Sequence, residues 1–582
     1  MKKNKDIRRV ITLVVMAAAV GISCGARPIE EPAVIEGALV SITIPDLHGL
    51  LDALGTTASQ VSPILSGPML KSMLGMRLGD PALAGIAAGK GLAVVALDPA
   101  TVFGVLEVGA GQLGTYTNQL ATLGMSSRYR DGLLVVAKSA AALVRGGTSA
   151  KQVRDRLLSR RSPTIRVGFQ PAGYIAANQE QVQGLVRTMS GLMGKGVQAQ
   201  ADTQLQPQSA VQGMTRVLEG EILVLLSLLK QTESVELVIT PARGALRIDE
   251  VIQPVRDSRM ATLFSAVRKN AWDPKVRSGA AGAAAFMIDF CIENGEALAD
   301  FLGAEIEQLI AELKFNGPQV KGLAGYIRKW LGVCGGTISE SVLSGDQPGL
   351  IAKYVMAITG EKAALDLFRN TQSDLERMGV LAFYAKLGMP MSFAFEEHVR
   401  TYRGEKIHAF KTHISTEHMP GPQREQIEAM GLANIRYELA AFDGLMAYAM
   451  GSRAMDSLID ALKDPEPTAA PLVARRVFPG GGFCYADLDV ARYIGFLASF
   501  MPRIPGNPMP FEQIAEALNC AEPVTSAGRV SGGRLQWGVN VPANLLARIG
   551  QAVMAIQMQR MQQMGAPDPT GTGPAGRGPS SN

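Results

Sequence analysis

Leu47, Leu50, Leu51 and Leu54 recur at i, i+3, i+4 and i+7, directly behind the alternating apolar stretch "ALVSITIP" that starts at Ala38. That spacing predicts a strand followed by a helix with one apolar face. Val490, Tyr493, Ile494 and Leu497 repeat it behind "GFCYADLD" from Gly482. "AFMIDFCIENGEALADFL" from Ala285 has the same form, and "TIRVGFQPAGYIAANQEQVQGLV" from Thr164 is a looser copy. A second pattern alternates polar and apolar positions about a tight turn: "YRDGLLVVAKSAAALV" from Tyr129 and "AFDGLMAYAMGSRAMDSLI" from Ala441. Asp131-Gly132 and Asp443-Gly444 suit a two-residue hairpin turn, and each hairpin leads into a short helix. Two more hairpins are expected in "SVELVITPARGALRIDEVIQP" from Ser234 and "PVTSAGRVSGGRLQWGVNVP" from Pro523.

These patterns come in one order, twice. Strand-helix unit, Asp-Gly hairpin, strand-helix unit and final hairpin run through 38–278 and again through 279–550. The expected fold class is α+β: two homologous halves, each of antiparallel β-hairpins packed with amphipathic helices. A chain of 582 residues also exceeds what one hydrophobic core usually serves. Residues 551–582 continue from a Met-rich helix into a Pro/Gly tail with too few apolar residues to pack.

Residues 1–23 read differently from the rest. Lys2, Lys3, Lys5, Arg8 and Arg9 precede an uncharged run from Val10 to Ser23, the layout of an export signal. Gly21-Ile22-Ser23-Cys24-Gly25 matches G-x-S-x-G, but neither a preceding strand nor a following helix supplies a nucleophile elbow. The small residue before Cys24 resembles instead the lipobox of bacterial lipoproteins, which implies diacylation of Cys24 and a tether over 24–37. Gly21 stands where that family usually has an aliphatic residue. Two or more acyl chains hold a protein stably on a membrane. Gly25 in place of the aspartate that typically marks inner-membrane retention in Gram-negative lipoproteins points to the periplasmic face of the outer membrane. Without the signal the net charge falls from +5 to about +1, so no basic footprint for nucleic acid remains. With 47% hydrophobic and 19% charged residues and a mean hydropathy of +0.13, the chain is apolar for a soluble protein, so either its cores are large or some apolar surface faces a lipid or partner.

The Asp-Gly hairpins and tandem layout resemble a loose group of uncharacterised bacterial envelope proteins of unknown function. That resemblance carries no catalytic residue over. Beyond Cys24 the cysteines are Cys291, Cys334, Cys484 and Cys520, equivalently placed in the two cysteine-bearing units. Equivalent placement favours Cys291 with Cys334 and Cys484 with Cys520; four buried free thiols are the alternative.

Candidate chemistry is sparse. "GAGQLG", Gly109 to Gly114, fits a dinucleotide fingerprint in spacing, yet the acid about 20 residues on, Asp131, sits in a hairpin turn, so an ordinary glycine-rich loop is expected. His398, His408, His413 and His418 cluster beside Glu396, Glu397 and Glu417. They are weak metal candidates, because His408 and His413 are an odd number apart and would point to opposite faces of one strand. His48 has Asp46 and Asp52 beside it but no nucleophile motif. Asp289, Asp487 and Asp489 are expected to cap turns and helices. Met554, Met558 and Met561 form a helical face that either packs on its own domain or adapts to an apolar partner. No cofactor and no enzymatic activity are expected. The leading expectation is a lipid-anchored scaffold or binding module that presents a surface to a protein partner. The alternative is a carrier of lipid or another hydrophobic ligand, and a metal-dependent envelope enzyme is a distant third.

Overall fold

The computed structural model describes residues 35–565 except 36, 60–64, 99, 185–187, 189–190, 192–219, 221, 243, 267–271, 274, 277–283, 293, 313–321, 345–349, 387–389, 418–423, 425–427, 429–432, 452, 465–471, 481, 501–510 and 520–521. Residues 1–34, with the expected export signal and Cys24, and also His418 and Cys520, lie outside the described residues.

The fold is α+β. Eighteen described strands pair into one antiparallel sheet. The N-terminal eight are β1 (Val40–Ile44), β2 (Leu92–Ala96), β3 (Val102–Glu107), β4 (Ser126–Arg130), β5 (Leu133–Ala137), β6 (Ile165–Phe169), β7 (Thr232–Ala242) and β8 (Ala245–Pro254). Then follow β9 (Phe286–Cys291), β10 (Cys334–Ser344), β11 (Leu350–Ile358), β12 (Met391–Tyr402), β13 (Glu405–Ile414), β14 (Asn434–Phe442), β15 (Leu445–Met450), β16 (Cys484–Leu488), β17 (Val524–Ser531) and β18 (Arg534–Pro542). Across the first part they lie in the order β4-β5-β3-β2-β1-β6-β7-β8. Across the second they lie as β12-β13-β14-β15-β11-β10-β9-β16-β17-β18. Apart from the added β12–β13 hairpin, the second order repeats the first strand for strand. The two parts join where β8 pairs with β18, Leu246 opposite Val541 and Ala245 opposite Pro542.

Local chemistry sets the hairpins. Asp131 and Gly132 have φ of +53° and +80°, and Asp443 and Gly444 have +53° and +77°. Both central residues of each turn are therefore left-handed, the geometry that matches the twist of the flanking strands. Asp46 starts the first helix by accepting from the Gly49 amide at 3.0 Å.

The flanks of the sheet are covered on both faces. In the N-terminal part, α1 (Leu47–Ala58), α2 (Gly67–Leu78) and α3 (Leu113–Thr122) lie on one face and α4 (Ala140–Val153) on the other. Leu47, Tyr116 and Leu120 meet Leu106, Leu134 and Val136 on the first face. Ala142, Ala150 and Val153 meet Phe103, Val105 and Val135 on the second. Short α5 (Pro171–Ala177) follows β6, and α6 (Arg259–Ala266) follows β8. In the C-terminal part come α7 (Gly295–Glu312), α8 (Leu323–Val333) and α9 (Glu361–Arg377), then α10 (Val380–Lys386) and α11 (Ala454–Lys463). Ala364 and Leu367 of α9 pack on Phe410, Leu439 and Met446. Met455, Leu458 and Ile459 of α11 pack on Ala440, Leu445 and Ala447 of the opposite face. Each such buried aliphatic side chain stabilises the fold by about 1.5–3 kcal/mol. The chain ends in α12 (Val473–Val477), α13 (Val490–Phe500), α14 (Phe511–Leu518) and α15 (Ala543–Gly565). Among the described residues no helix is long and apolar enough to cross a membrane.

The expected capping role holds for Asp489, which accepts from the Arg492 amide at 3.0 Å. It does not hold for Asp289, a buried mid-strand residue paired with Arg475. Asp487 is also mid-strand and buried, yet it does cap a helix, accepting from the first two amides of α12. Turn-like sequence around these acids concealed their place inside the ladder.

Candidate ligand-binding face

Alternation along each strand sends neighbours to opposite faces, and across the middle strands the two faces have opposite chemistry. One is closed by ion pairs. Arg166 meets Glu236 at 2.9 Å and Arg247 meets Asp249 at 3.0 Å. Arg475 reaches Asp289 at 3.0 Å while its guanidinium lies 4.1 Å from the Trp272 ring centre and 4.9 Å from that of Tyr485. Asp487 accepts from the amides of Val473 and Ala474 at 2.6 and 2.9 Å. Burial pushes its carboxyl up against the opposing pull of those two amides. Charges taken out of water need such partners.

The other face is apolar and incompletely covered. Ile42, Val167, Leu237, Ile248, Trp537 and Ile288, from β1, β6, β7, β8, β18 and β9, are only half-buried. None of them belongs to a packed cluster of buried side chains. Helices cross the central strands at intervals: α1 and α5 contact β7, α15 contacts β8 and β18, α6 contacts β18 and α13 contacts β10. Apolar side chains on those helices are open as well. Tyr493 of α13 and Ile549, Val553, Met554 and Met558 of α15 are exposed. The methionine face thus stands away from the described core, although the side chain of Met561 lies outside the described residues.

Two polar groups lie within this apolar surface, where the N-terminal and C-terminal parts of the sheet meet. Glu250 of β8 sits opposite Leu237. Trp537 of β18 sits opposite Gly528, so closely that a Cβ on that glycine would lie 2.4 Å from the indole ring. Continuing the β8–β18 register from Leu246 and Val541 sets Glu250 across from Trp537. The same register sets Gln253 across from Arg534, whose Nε donates to the Gln253 side chain. Glu250 is 6% exposed, and burial alone pushes its carboxyl up to about 7. Among the described residues no hydrogen bond or ion pair reaches it. The Trp537 indole N–H is buried without an acceptor among the described residues. Another acid on this face, Glu340, is hydrogen-bonded to Tyr354 and so differs from Glu250.

The Glu250–Trp537 pair was not among the sequence candidates. A signal existed: in "RIDEVIQ" two successive acids interrupt an alternating strand, so one of them must land on the apolar face.

The sequence candidates are dispersed. His408 is 8% exposed, stacks on Phe395 and is held below the usual imidazole range by burial. Its Nδ1 accepts from the His398 amide at 3.2 Å, at a break in the β12–β13 register. His413 is bonded to Asn434 on the opposite face of β13. Among the described residues no three metal-ligating side chains converge. His48 Nε2 bonds the Ile86 carbonyl at 2.6 Å and so ties α1 to a loop. "GAGQLG" does join β3 to α3, but β3 pairs antiparallel with β2 and β5, unlike the parallel unit a dinucleotide site needs.

No disulfide joins Cys291, Cys334 and Cys484, which corrects the expected Cys291–Cys334 bond. The β9–β10 register puts Thr337, not Cys334, across from Cys291. An irregular step between Cys334 and Ile338 offsets the other thiol. Cys484 is opposite Phe290, so its side chain shares the apolar face, away from Cys291. Its thiol is pushed up to about 12 by burial. Alkylation under denaturing, non-reducing conditions should therefore modify all three cysteines; recovery of a linked Cys291–Cys334 peptide would overturn this assignment.

Comparison with protein-family models, with curated proteins and with solved structures finds no match.

Proposed function

We propose that this protein is a lipid-anchored envelope carrier that holds an amphiphilic hydrophobic ligand along the apolar face of its central strands. One observation carries the reading: the ion-paired face is buried, whereas the apolar face is left half-open. Water-soluble sheets ordinarily do the reverse, because burying apolar area drives folding and large open apolar patches mark binding sites. A ligand chain laid between the crossing helices completes the missing burial. Exposed methionines on α15 suit a mouth that adapts to varied chains.

The repeated strand order supports an origin by tandem duplication, with the two C-terminal strands, β8 and β18, joined at the centre. Acylation of Cys24 tethers the body to the membrane from which a ligand comes. The scaffold reading explains an exposed helix face equally well. It does not explain an apolar sheet face whose half-buried side chains join no packed cluster among the described residues.

Native mass spectrometry of the membrane-extracted protein, before and after organic extraction, tests the carrier. A co-purifying lipid that leaves on extraction is expected. A clean mass in both samples, together with no uptake of added C16 amphiphiles, would remove the carrier and return the scaffold reading.

A further inference from the structure

Resting on the carrier reading, we infer that the ligand's polar end is an amine with an oxygen acceptor beside it, recognised by Glu250 and Trp537 where β8 meets β18. Buried polar groups in native proteins nearly always have partners. Among the described residues the Trp537 indole N–H is buried with none, and the largely buried Glu250, which makes no hydrogen bond or ion pair there, holds the place that the continued β8–β18 register sets across from it. The carboxylate of Glu250 can only accept, and it has neither counter-ion nor donor among the described residues. The indole N–H of Trp537 can only donate, and it has no acceptor. An ammonium group supplies three donors and the missing positive charge. A hydroxyl or ester oxygen on the next carbon supplies the acceptor.

The surroundings exclude the other common head groups. On the same face Glu250 has Leu237 beside it on β7 and Trp537 beside it on β18. Diagonal to it are Val235, Ile239, Leu535 and Val539, none of them cationic. On α15 the guanidinium of Arg548 donates to the Ala517 carbonyl at 3.1 Å. A carboxylate or phosphate head would bring a second negative charge to Glu250 with no cation among the described residues to offset it, and like charges in a low-dielectric site repel strongly. An ammonium beside the Trp537 ring has in addition the attraction of the aromatic face. The aliphatic chain then runs from this central point over the half-buried residues of either side.

The full mature chain is titrated at pH 8 with hexadecylamine, hexadecanol and hexadecanoic acid, read by calorimetry and by the fluorescence of its tryptophans. Hexadecylamine should bind at least tenfold tighter than the alcohol, and the acid weakest. Glu250→Gln should abolish the amine's preference while leaving hexadecanol affinity within about twofold; the retained alcohol binding shows that the variant's face is still folded. Trp537→Phe should weaken 2-amino-1-hexadecanol more than hexadecylamine. Equal binding of the three probes, or an amine preference that survives Glu250→Gln, would overturn the inference and leave the carrier reading standing. Failure of all three to bind wild type would bring down both.

Discussion

Replacing Glu250 with leucine should stabilise the ligand-free protein far more at pH 8 than at pH 4, the difference growing by roughly 3 kcal/mol between them. The folded carboxyl is pushed up to about 7 by burial, whereas in the unfolded chain it ionises at about 4.3. Folded Glu250 therefore keeps its proton through a range in which the unfolded form has lost it. Its contribution to stability is fully present below the unfolded value, falls as pH rises between the two, and is lost above about 7. Leucine has nothing to titrate, so the variant lacks this loss. Chemical denaturation at pH 4, 6 and 8 measures it. A wild-type-to-variant difference that stays flat with pH would mean that the carboxyl is solvated or paired, and the candidate site would lose its central group.

Arg475→Ala should cost about 3 kcal/mol of unfolding free energy, the low end of what breaking a buried pair costs. Asp289, 2% exposed, loses its 3.0 Å partner. The space between Trp272 and Tyr485 loses the guanidinium that lies over both rings. The double variant Asp289→Asn with Arg475→Met keeps the volume and removes both charges, so it should recover much of the loss. Denaturant unfolding distinguishes the two. A single-variant effect below 1 kcal/mol would mean that the ion-paired face owes little to its charges, contrary to the contrast drawn between the two faces.

Much of the architecture was readable from short-range chemistry. The two Asp-Gly hairpins, the helices behind them and the β7–β8 and β17–β18 hairpins occur where alternation and turn residues put them. Those features depend on neighbours within about ten residues, and the side-chain period of a strand is two. The odd spacing of His408 and His413 correctly separated them for the same reason. The Cys291–Cys334 pairing failed because equivalent placement in a repeat does not fix cross-strand register. One irregular step near Cys334 was enough to offset its thiol. The amphipathic stripe of α13 was visible, but not that Tyr493 would be exposed. Periodicity shows which residues share a helix face, and says nothing about what that face meets.

Local pattern alone thus settled the α+β class, the turns, the helix faces and the order of units along the chain. The long-range assembly decided the rest: that β8 meets β18, that the charged side of the middle strands is the closed one, and that this join sets Glu250 across from Trp537, whose indole N–H is buried without an acceptor among the described residues. Residues 287 positions apart become neighbours only where β8 runs beside β18. The energy that selects this join is spread over both faces of many strands, so no single segment of the sequence contains it.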